Sequence, residues 1–378
     1  MPFAAALSEH PVPAVAVGAV VGEVIERSGA APDVAVLFVT PHHVGALEDI
    51  AAAVQTLLEP AAFIGATAVA VLVGDRGVED GPGLALWAGR LAGSVTPVHL
   101  TADQSEDGWQ LDGLTAEELD GAGSLVLVAD PFTFPVSEVL QRLWTSHPGL
   151  PVIGGLASAA RGPGGNRLVI GGRVAAHGAV GLVLDDDASP STIVSQGCRP
   201  IGQPFTVTDA ERQIVKKLAG RPALERLMQT VEALDPVDRA LAAQGLLCGI
   251  VIDERNLDHG RGDFLIRGLI GADRDAGALA VAGEVPIGAT IQFQVRDAAT
   301  AGEDLTALLA GHEATGALVF TCNGRGTEMF GDAHHDATIV HGLLGGAVAG
   351  MFCAGEVGPI AGRNALHGFT ASMALFTG

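Results

Sequence analysis

Two short runs near the C-terminal end gather residue types that can do chemistry. Thr321-Cys322-Asn323-Gly324-Arg325-Gly326 is followed, about thirty residues on, by Gly350-Met351-Phe352-Cys353-Ala354-Gly355-Glu356-Val357-Gly358-Pro359. Each closes an apolar stretch that reads as a strand. Each sets reactive or charged side chains among glycines, which let backbone amides approach a ligand and adopt positive φ without steric cost. Arg325, flanked by glycine, can hold a carboxylate or phosphate bidentately, or pair with Glu328 or Glu356. A buried Glu356 needs a cation or a ligand amine. Arg325 and Glu356 lining one pocket would recognise a zwitterion.

Cys322 reads in two ways. Loop amides and Arg325 favour a thiolate, which becomes a candidate nucleophile if His334, His335 or His367 folds beside it. Alternatively it is a small buried core residue. A second run, Gln196-Gly197-Cys198-Arg199-Pro200-Ile201-Gly202, repeats the thiol-plus-guanidinium theme, or is a crossover with Arg199 solvated. Asp297 reads as a helix cap.

The histidine clusters His42-His43 and His334-His335-Asp336 with His341 do not form a ligand set. Adjacent histidines diverge on regular structure, and only His334 and His341 would share a helical face. Gly162-Pro163-Gly164-Gly165 lacks the Gly-Lys-Ser/Thr ending of a phosphate loop, and no G-x-S-x-G occurs. No metal and no cofactor are expected.

These residues need elements to position them. Val36 to Pro41 reads as a strand entering a loop, with an amphipathic helix over 44–58, then Phe63-Ile64-Gly65-Ala66 and a strand opening at Gly81. The unit recurs at Val126 to Pro131, with a helix over 136–146, Val152 to Gly155 and His177 to Leu184. It recurs again at Leu318 to Asn323, with a helix over 336–344, Val348 to Gly350 and His367 to Phe376. Thr40-Pro41, Asp130-Pro131 and Cys322-Asn323 share one slot, and Gly65, Gly154 and Gly350 share another. Pro41 to Pro131 is 90 residues and Pro131 to Asn323 is 192. The doubled interval leaves room for a diverged fourth unit: a strand over 192–196, a helix over 209–234 and a strand over 246–252. Asp263 to Gly268, Ala278 to Val281 and Thr290 to Arg296 read as antiparallel strands of an insert. A helix over 301–311 leads into the last unit. The expected fold is mixed α/β: duplicated β-α-β units in two pseudo-equivalent halves, split near residue 200, with an antiparallel β insert.

Composition narrows the function. The 378 residues are 48% hydrophobic and 17% charged, enough for a large core. Net charge is −22, which disfavours nucleic acid and anionic membranes as partners. The four separated cysteines, without C-x-x-C, and the lack of a basic leader point to a reducing cytoplasm. The uncharged stretch from Ala337 to Gly355 reads as helix plus strand rather than a membrane span.

The chain resembles the FIST proteins, which pair an N-terminal and a C-terminal FIST domain. The resemblance rests on Cys322-x-Gly324-Arg325-Gly326, Gly350-Met351-Phe352, Gly355-Glu356-Val357-Gly358-Pro359 and Leu366-His367. Further support comes from Leu37-Phe38, Ile64-Gly65-Ala66-Thr67, Ile153-Gly154-Gly155, Gly197 to Gly202 and Val295-Arg296-Asp297-Ala298. It implies domains over 1–200 and 201–378, and a sensory module that binds amino acids or related metabolites. The length leaves no room for a kinase, methyl-accepting or F-box segment, so output is expected through a separate signalling partner.

The expected ligand set is Cys322, Asn323, Gly324, Arg325, Gly326, Gly355 and Glu356, with Cys198 and Arg199 from the middle run. Two other readings stand beside it: a cysteine-dependent hydrolase or transferase using Cys322, and a protein-binding scaffold. Oligomeric state is left open.

Overall fold

The computed structural model describes residues 2–105, 108–256, 259–260 and 262–377. The chain divides into two compact units, Met1–Val194 with Leu305–Leu366 and Thr370–Gly378, and Ser195–Asp304 with His367–Phe369.

The first unit contains the three recurring copies. The first is strand Val34–Val39, helix Leu47–Leu58 entered through a 3-10 turn Pro41–Ala46, strand Ala62–Thr67, a hairpin Val71–Val73 and Arg76–Val78, and return strand Leu84–Gly89. The second runs Ser124–Ala129, Val136–Ser146, Val152–Leu156, hairpin Leu168–Ile170 and Arg173–Ala175, and Ala179–Leu184. The third runs Gly316–Cys322, His335–Leu344, Ala347–Cys353, hairpin Glu356–Ile360 and Arg363–His367, and Thr370–Phe376. In every copy the helix joins two parallel strands, and the return strand lies antiparallel to the first.

No copy completes its own sheet. The hairpin of copy one pairs with the second strand of copy three (Leu72 with Gly350). The hairpin of copy two pairs with copy one (Val169 with Gly65), and that of copy three with copy two (Val357 with Gly154). The exchange closes a cycle, so three sheets are interlocked through their hairpins.

Strand alternation explains how these sheets pack. Val36 and Phe38, Val126 and Val128, and Leu318 and Phe320 all face one shared core. The intervening Leu37, Leu127 and Val319 face three separate outer cores, each covered by helices. Burial on both faces is why the strands read as unbroken apolar runs. Ile50, Ala51, Val54 and Leu58 give one covering helix its apolar stripe, and Val139, Leu140 and Leu143 give another.

Gly65, Gly154 and Gly350 are equivalent by register, opposite Leu37, Leu127 and Val319. A Cβ at each would lie 2.4, 1.8 and 2.1 Å from the carbonyl oxygen of that partner. Close backbone approach, rather than turn formation, is what requires glycine there.

The second unit is a β-barrel. Its ladder runs Thr290–Arg296, Phe205–Glu211, Ile214–Leu218, Ala278–Val281, Phe264–Asp273 and Leu246–Val251, and the last strand pairs back to the first. Val207, Val215, Cys248, Leu279, Ile291 and Phe293 lie in its core.

Among the described residues the doubled interval therefore holds this barrel and no fourth copy. The helix expected over 209–234 is confined to Ala223–Ala233. The preceding stretch alternates, with Phe205 and Val207 buried and Thr206 and Thr208 exposed, and Arg212 at φ 53° turns the hairpin. That period-two pattern is a strand signal. The helix expected over 301–311 spans Ala298–Leu309, with the Thr300 amide donating to Asp297 Oδ1 at 3.1 Å, as a cap does.

Candidate functional site

The first strand of copy three ends at Cys322, in register with Cys353 on its parallel neighbour. Carboxyl ends of parallel strands are where open α/β sheets bind ligands. The Asn323 amide donates to the Cys353 carbonyl at 2.8 Å, and the Arg325 amide to the Cys322 carbonyl at 2.9 Å, so the chain folds back on itself. Gly326 has φ 66°, and a Cβ there would lie 2.1 Å from Glu79 Oε1. That carboxylate accepts the Thr327 amide at 2.8 Å.

Arg325 is 1% exposed. Its Nε donates to Asp336 Oδ2 at 2.7 Å and its Nη2 to Asp336 Oδ1 at 2.8 Å. Asp336 lies in the first turn of the helix His335–Leu344, where the helix dipole favours a carboxylate. It also accepts Thr321 Oγ1 at 2.6 Å, and His335 Nδ1 lies 3.0 Å from its Oδ1. Burial alone would raise this carboxyl, but the Arg325 charge and the hydrogen bonds from Arg325, His335 and Thr321 hold it well below the usual range. The Arg325 guanidinium also lies over Phe330, 5.1 Å from the ring centre, and Phe330 stacks on His335 at 3.5 Å.

Glu356 is fully buried, and its Oε2 accepts the Thr370 amide at 3.2 Å and Thr370 Oγ1 at 2.9 Å. Burial pushes its pKa up to about 8 against the opposing hydrogen bonds from Thr370, the field of Arg325 and a hydrogen bond with Cys322. Cys353 belongs to the same electrostatic cluster, and burial, then Glu356 and Cys322, push its thiol up. Two polar atoms of the cluster, Arg325 Nη1 and Glu356 Oε1, are buried with no hydrogen-bond partner among the described residues.

The structure thus brings Cys322, Arg325 and Glu356 together. Gly324, Gly326 and Gly355 are buried beside them and Asn323 is exposed. The ion-pair partner of Arg325 is Asp336, neither Glu328 nor Glu356. Sequence reasoning placed Asp336 among histidines at a helix start, gave Thr321 no role, and missed Thr370 and Phe330. The one available signal was an acid in a helix's first turn.

Cys198 and Arg199 belong to the other compact unit. Cys198 is buried. Arg199 is half-buried rather than solvated: its Nε donates to Asp297 at 2.6 Å and its Nη1 and Nη2 donate to Asp238. Of the histidines singled out in the sequence, His335 joins the cluster through Asp336. His334 Nδ1 accepts the Gly77 amide at 2.9 Å, and His43 is buried in the 3-10 turn, where burial lowers its pKa.

The same slot in the other copies is built differently. Thr40 Oγ1 donates to the Gly81 carbonyl at 2.9 Å and accepts the Gly83 amide at 2.8 Å. Asp130 accepts Thr133 Oγ1 at 2.6 Å and Asn166 Nδ2 at 2.9 Å, one on each oxygen.

Three interlocked β-α-β copies and a barrel, with glycine-rich loops at one set of strand ends, define a mixed α/β protein of two compact units. The FIST N domain matches residues 33–221 and the FIST C domain residues 223–359, and the chain belongs to the FIST family. FIST domains are sensory domains that bind small ligands. An uncharacterized protein of Mycobacterium bovis is 45% identical over 363 residues, covering 93% of this chain and 92% of its own length. An uncharacterized protein of Mycobacterium tuberculosis is 44% identical over 362 residues, covering 93% of each chain. Among the described residues no helix is long and apolar enough to cross a membrane.

Proposed function

We infer that this protein senses a small polar metabolite, bound in the third copy among Cys322, Asn323, Gly324, Arg325, Gly326, Gly355 and Glu356. The observation that carries the reading is the pair of buried atoms without partners, Arg325 Nη1 and Glu356 Oε1. An unsatisfied buried polar group costs about 1–3 kcal/mol, more when charged. A ligand that supplies both partners recovers that cost on binding. Arg325 suits an oxyanion on the ligand, and Glu356 suits an amine or hydroxyl. The response passes to a separate signalling partner in the cytoplasm.

Arg325→Ala is a poor probe, because it leaves the buried Asp336 carboxylate without a counter-charge. Glu356→Met and the double variant Arg325→Met/Asp336→Leu avoid that fault. A metabolite library screened by thermal shift should yield hits whose stabilisation disappears in both variants. Hits that stabilise wild type and both variants equally place the site elsewhere.

A further inference from the structure

The strand Phe3–Ser8 ends the first sheet, paired on one side with Leu84–Gly89. Backbone groups of successive strand residues face opposite edges. The Pro2 carbonyl accepts the Arg90 amide, so Pro2, Ala4, Ala6 and Ser8 turn theirs into the sheet. The Ala5 carbonyl instead accepts Arg27 Nη1 at 3.0 Å, so Phe3, Ala5 and Leu7 turn theirs outward. Among the described residues no strand pairs with that outward edge. A cavity of about 480 Å³ follows it, lined by every residue from Phe3 to Leu7. The space beside Gly74 and Gly345, which also line it, is open: a Cβ at either would meet nothing within 4 Å. Phe3, Ala4, Ala5 and Ala6 are buried, so the edge is the floor of a groove rather than a protruding rim.

The groove has a charge sign of its own. Arg27, Arg76 and His341 line it against one carboxylate, Glu23, in a chain of net charge −22. His341 Nδ1 is buried with no hydrogen-bond partner among the described residues. Arg27 pairs with Glu23 at 2.6 Å and Arg76 pairs with Glu9, all four side chains being exposed. Exposed pairs contribute about 0–1 kcal/mol, so both guanidiniums can turn to a ligand carboxylate at little cost.

We propose that this groove binds an extended acidic peptide segment of a partner protein, added as a strand along Phe3–Leu7 with a carboxylate side chain held by Arg27 and Arg76. Outward groups on alternate residues, about 7 Å apart, match extended main chain and give strand addition its affinity. Arg27 yields the Ala5 carbonyl to a peptide N–H and takes the peptide's carboxylate. A small free anion would satisfy the arginines and leave the edge unpaired. A folded second copy could not carry its own edge down to the floor. None of the lining residues belongs to the Cys322 cluster, so the two sites stand or fall separately. They share one helix, His335–Leu344, with Asp336 in its first turn and His341 in its last.

Fluorescence anisotropy of the full chain with a fluorescein-labelled, amidated pentapeptide, threonine-valine-glutamate-valine-threonine, tests this. The peptide should bind at least about tenfold tighter than its analogue with central lysine. Methylating alternate peptide amides, in the two possible registers, should weaken binding at least about tenfold in one register and less than about threefold in the other, because a strand pairs through one edge. Leu7→Pro deletes an outward amide that the sheet does not use. It should keep the wild-type melting temperature and bind at least about tenfold more weakly. Arg27→Gln/Arg76→Gln should erase the preference for glutamate over lysine. No binding of the glutamate peptide up to about 1 mM overturns the assignment. So do equal effects of the two methylation registers, which decide the matter if Leu7→Pro does not fold. A folded Leu7→Pro with wild-type affinity overturns the siting, and a glutamate preference that survives the arginine double variant overturns the charge recognition.

Discussion

Two ends of the same threefold scaffold behave differently. In copies one and two the residue that closes the first strand is fully engaged inside the protein: Thr40 by the Gly81 carbonyl and Gly83 amide, Asp130 by Thr133 and Asn166. In copy three, where Cys322 takes that slot, the neighbouring Arg325 and Glu356 each keep one buried atom without a partner. The return-strand amides go to different partners: those of Gly83 and Gly178 donate to Thr40 Oγ1 and Thr133 Oγ1 within the first two copies. In the third, the amide and hydroxyl of Thr370 donate to Glu356. A repeated frame supplies rigidity in all three places. The contrast lies in the charged pair, since His43, three residues after Thr40 as Arg325 is after Cys322, also buries two ring nitrogens with no hydrogen-bond partner among the described residues.

The frame itself should break equally in every copy. Gly65→Ala, Gly154→Ala and Gly350→Ala each drive a Cβ into a backbone carbonyl. Each is expected to cost more than about 3 kcal/mol in urea unfolding or to prevent soluble expression. Wild-type stability in any one of them would break the equivalence of the copies.

Arg325→Ala should cost about 3–5 kcal/mol by the same measurement, since it strands a buried carboxylate. Arg325→Met/Asp336→Leu should recover at least half of that loss, because it removes both charges together. A double variant as unstable as the single one would show that packing, rather than charge, holds Arg325.

Asp130→Asn tests the closed copy. It loses one of two accepted hydrogen bonds and should cost about 1–3 kcal/mol, with no effect on ligand binding.

Glu356→Gln isolates a proton. The wild-type carboxyl ionises at about its ordinary 4.5 when unfolded and at about 8 when folded. The folded state therefore holds a proton that the unfolded chain releases, and wild-type stability falls as pH rises across that window. Relative to wild type, Glu356→Gln should gain roughly 1–4 kcal/mol between pH 4.5 and pH 8 and stay level above it. Asp336 acts in the opposite sense, its contribution being lost as pH falls below the ordinary carboxylate range. A pH-independent difference between Glu356→Gln and wild type would mean that Glu356 is ionised in the fold.

Much of the frame was legible in the sequence because both-face burial writes unbroken apolar strands and the covering helices write a 3.6-residue stripe. The matched glycines were legible as well, although their cause, contact with a neighbouring carbonyl, was not. The hairpin exchange left no local trace: Leu72, Val169 and Val357 look like ordinary strand residues whichever sheet they join. The barrel hairpin was partly hidden, because the run from Asp209 through the strand Ile214–Leu218 mixes polar and apolar residues in a way that suits a helix as well. At the site, Cys322, Arg325 and Glu356 stood out by chemistry. Asp336 did not, because its link to Arg325 depends on how the loop turns back over the strand end.

The central claim is that copy three, and neither of its counterparts, holds the ligand. Calorimetric titration of a metabolite that stabilises wild type in the thermal-shift screen into wild type, Asp130→Asn and Glu356→Met at pH 7 measures this directly. Asp130→Asn should bind within about twofold of wild type, and Glu356→Met at least about tenfold more weakly. Weakened binding in Asp130→Asn with full binding in Glu356→Met would contradict the account.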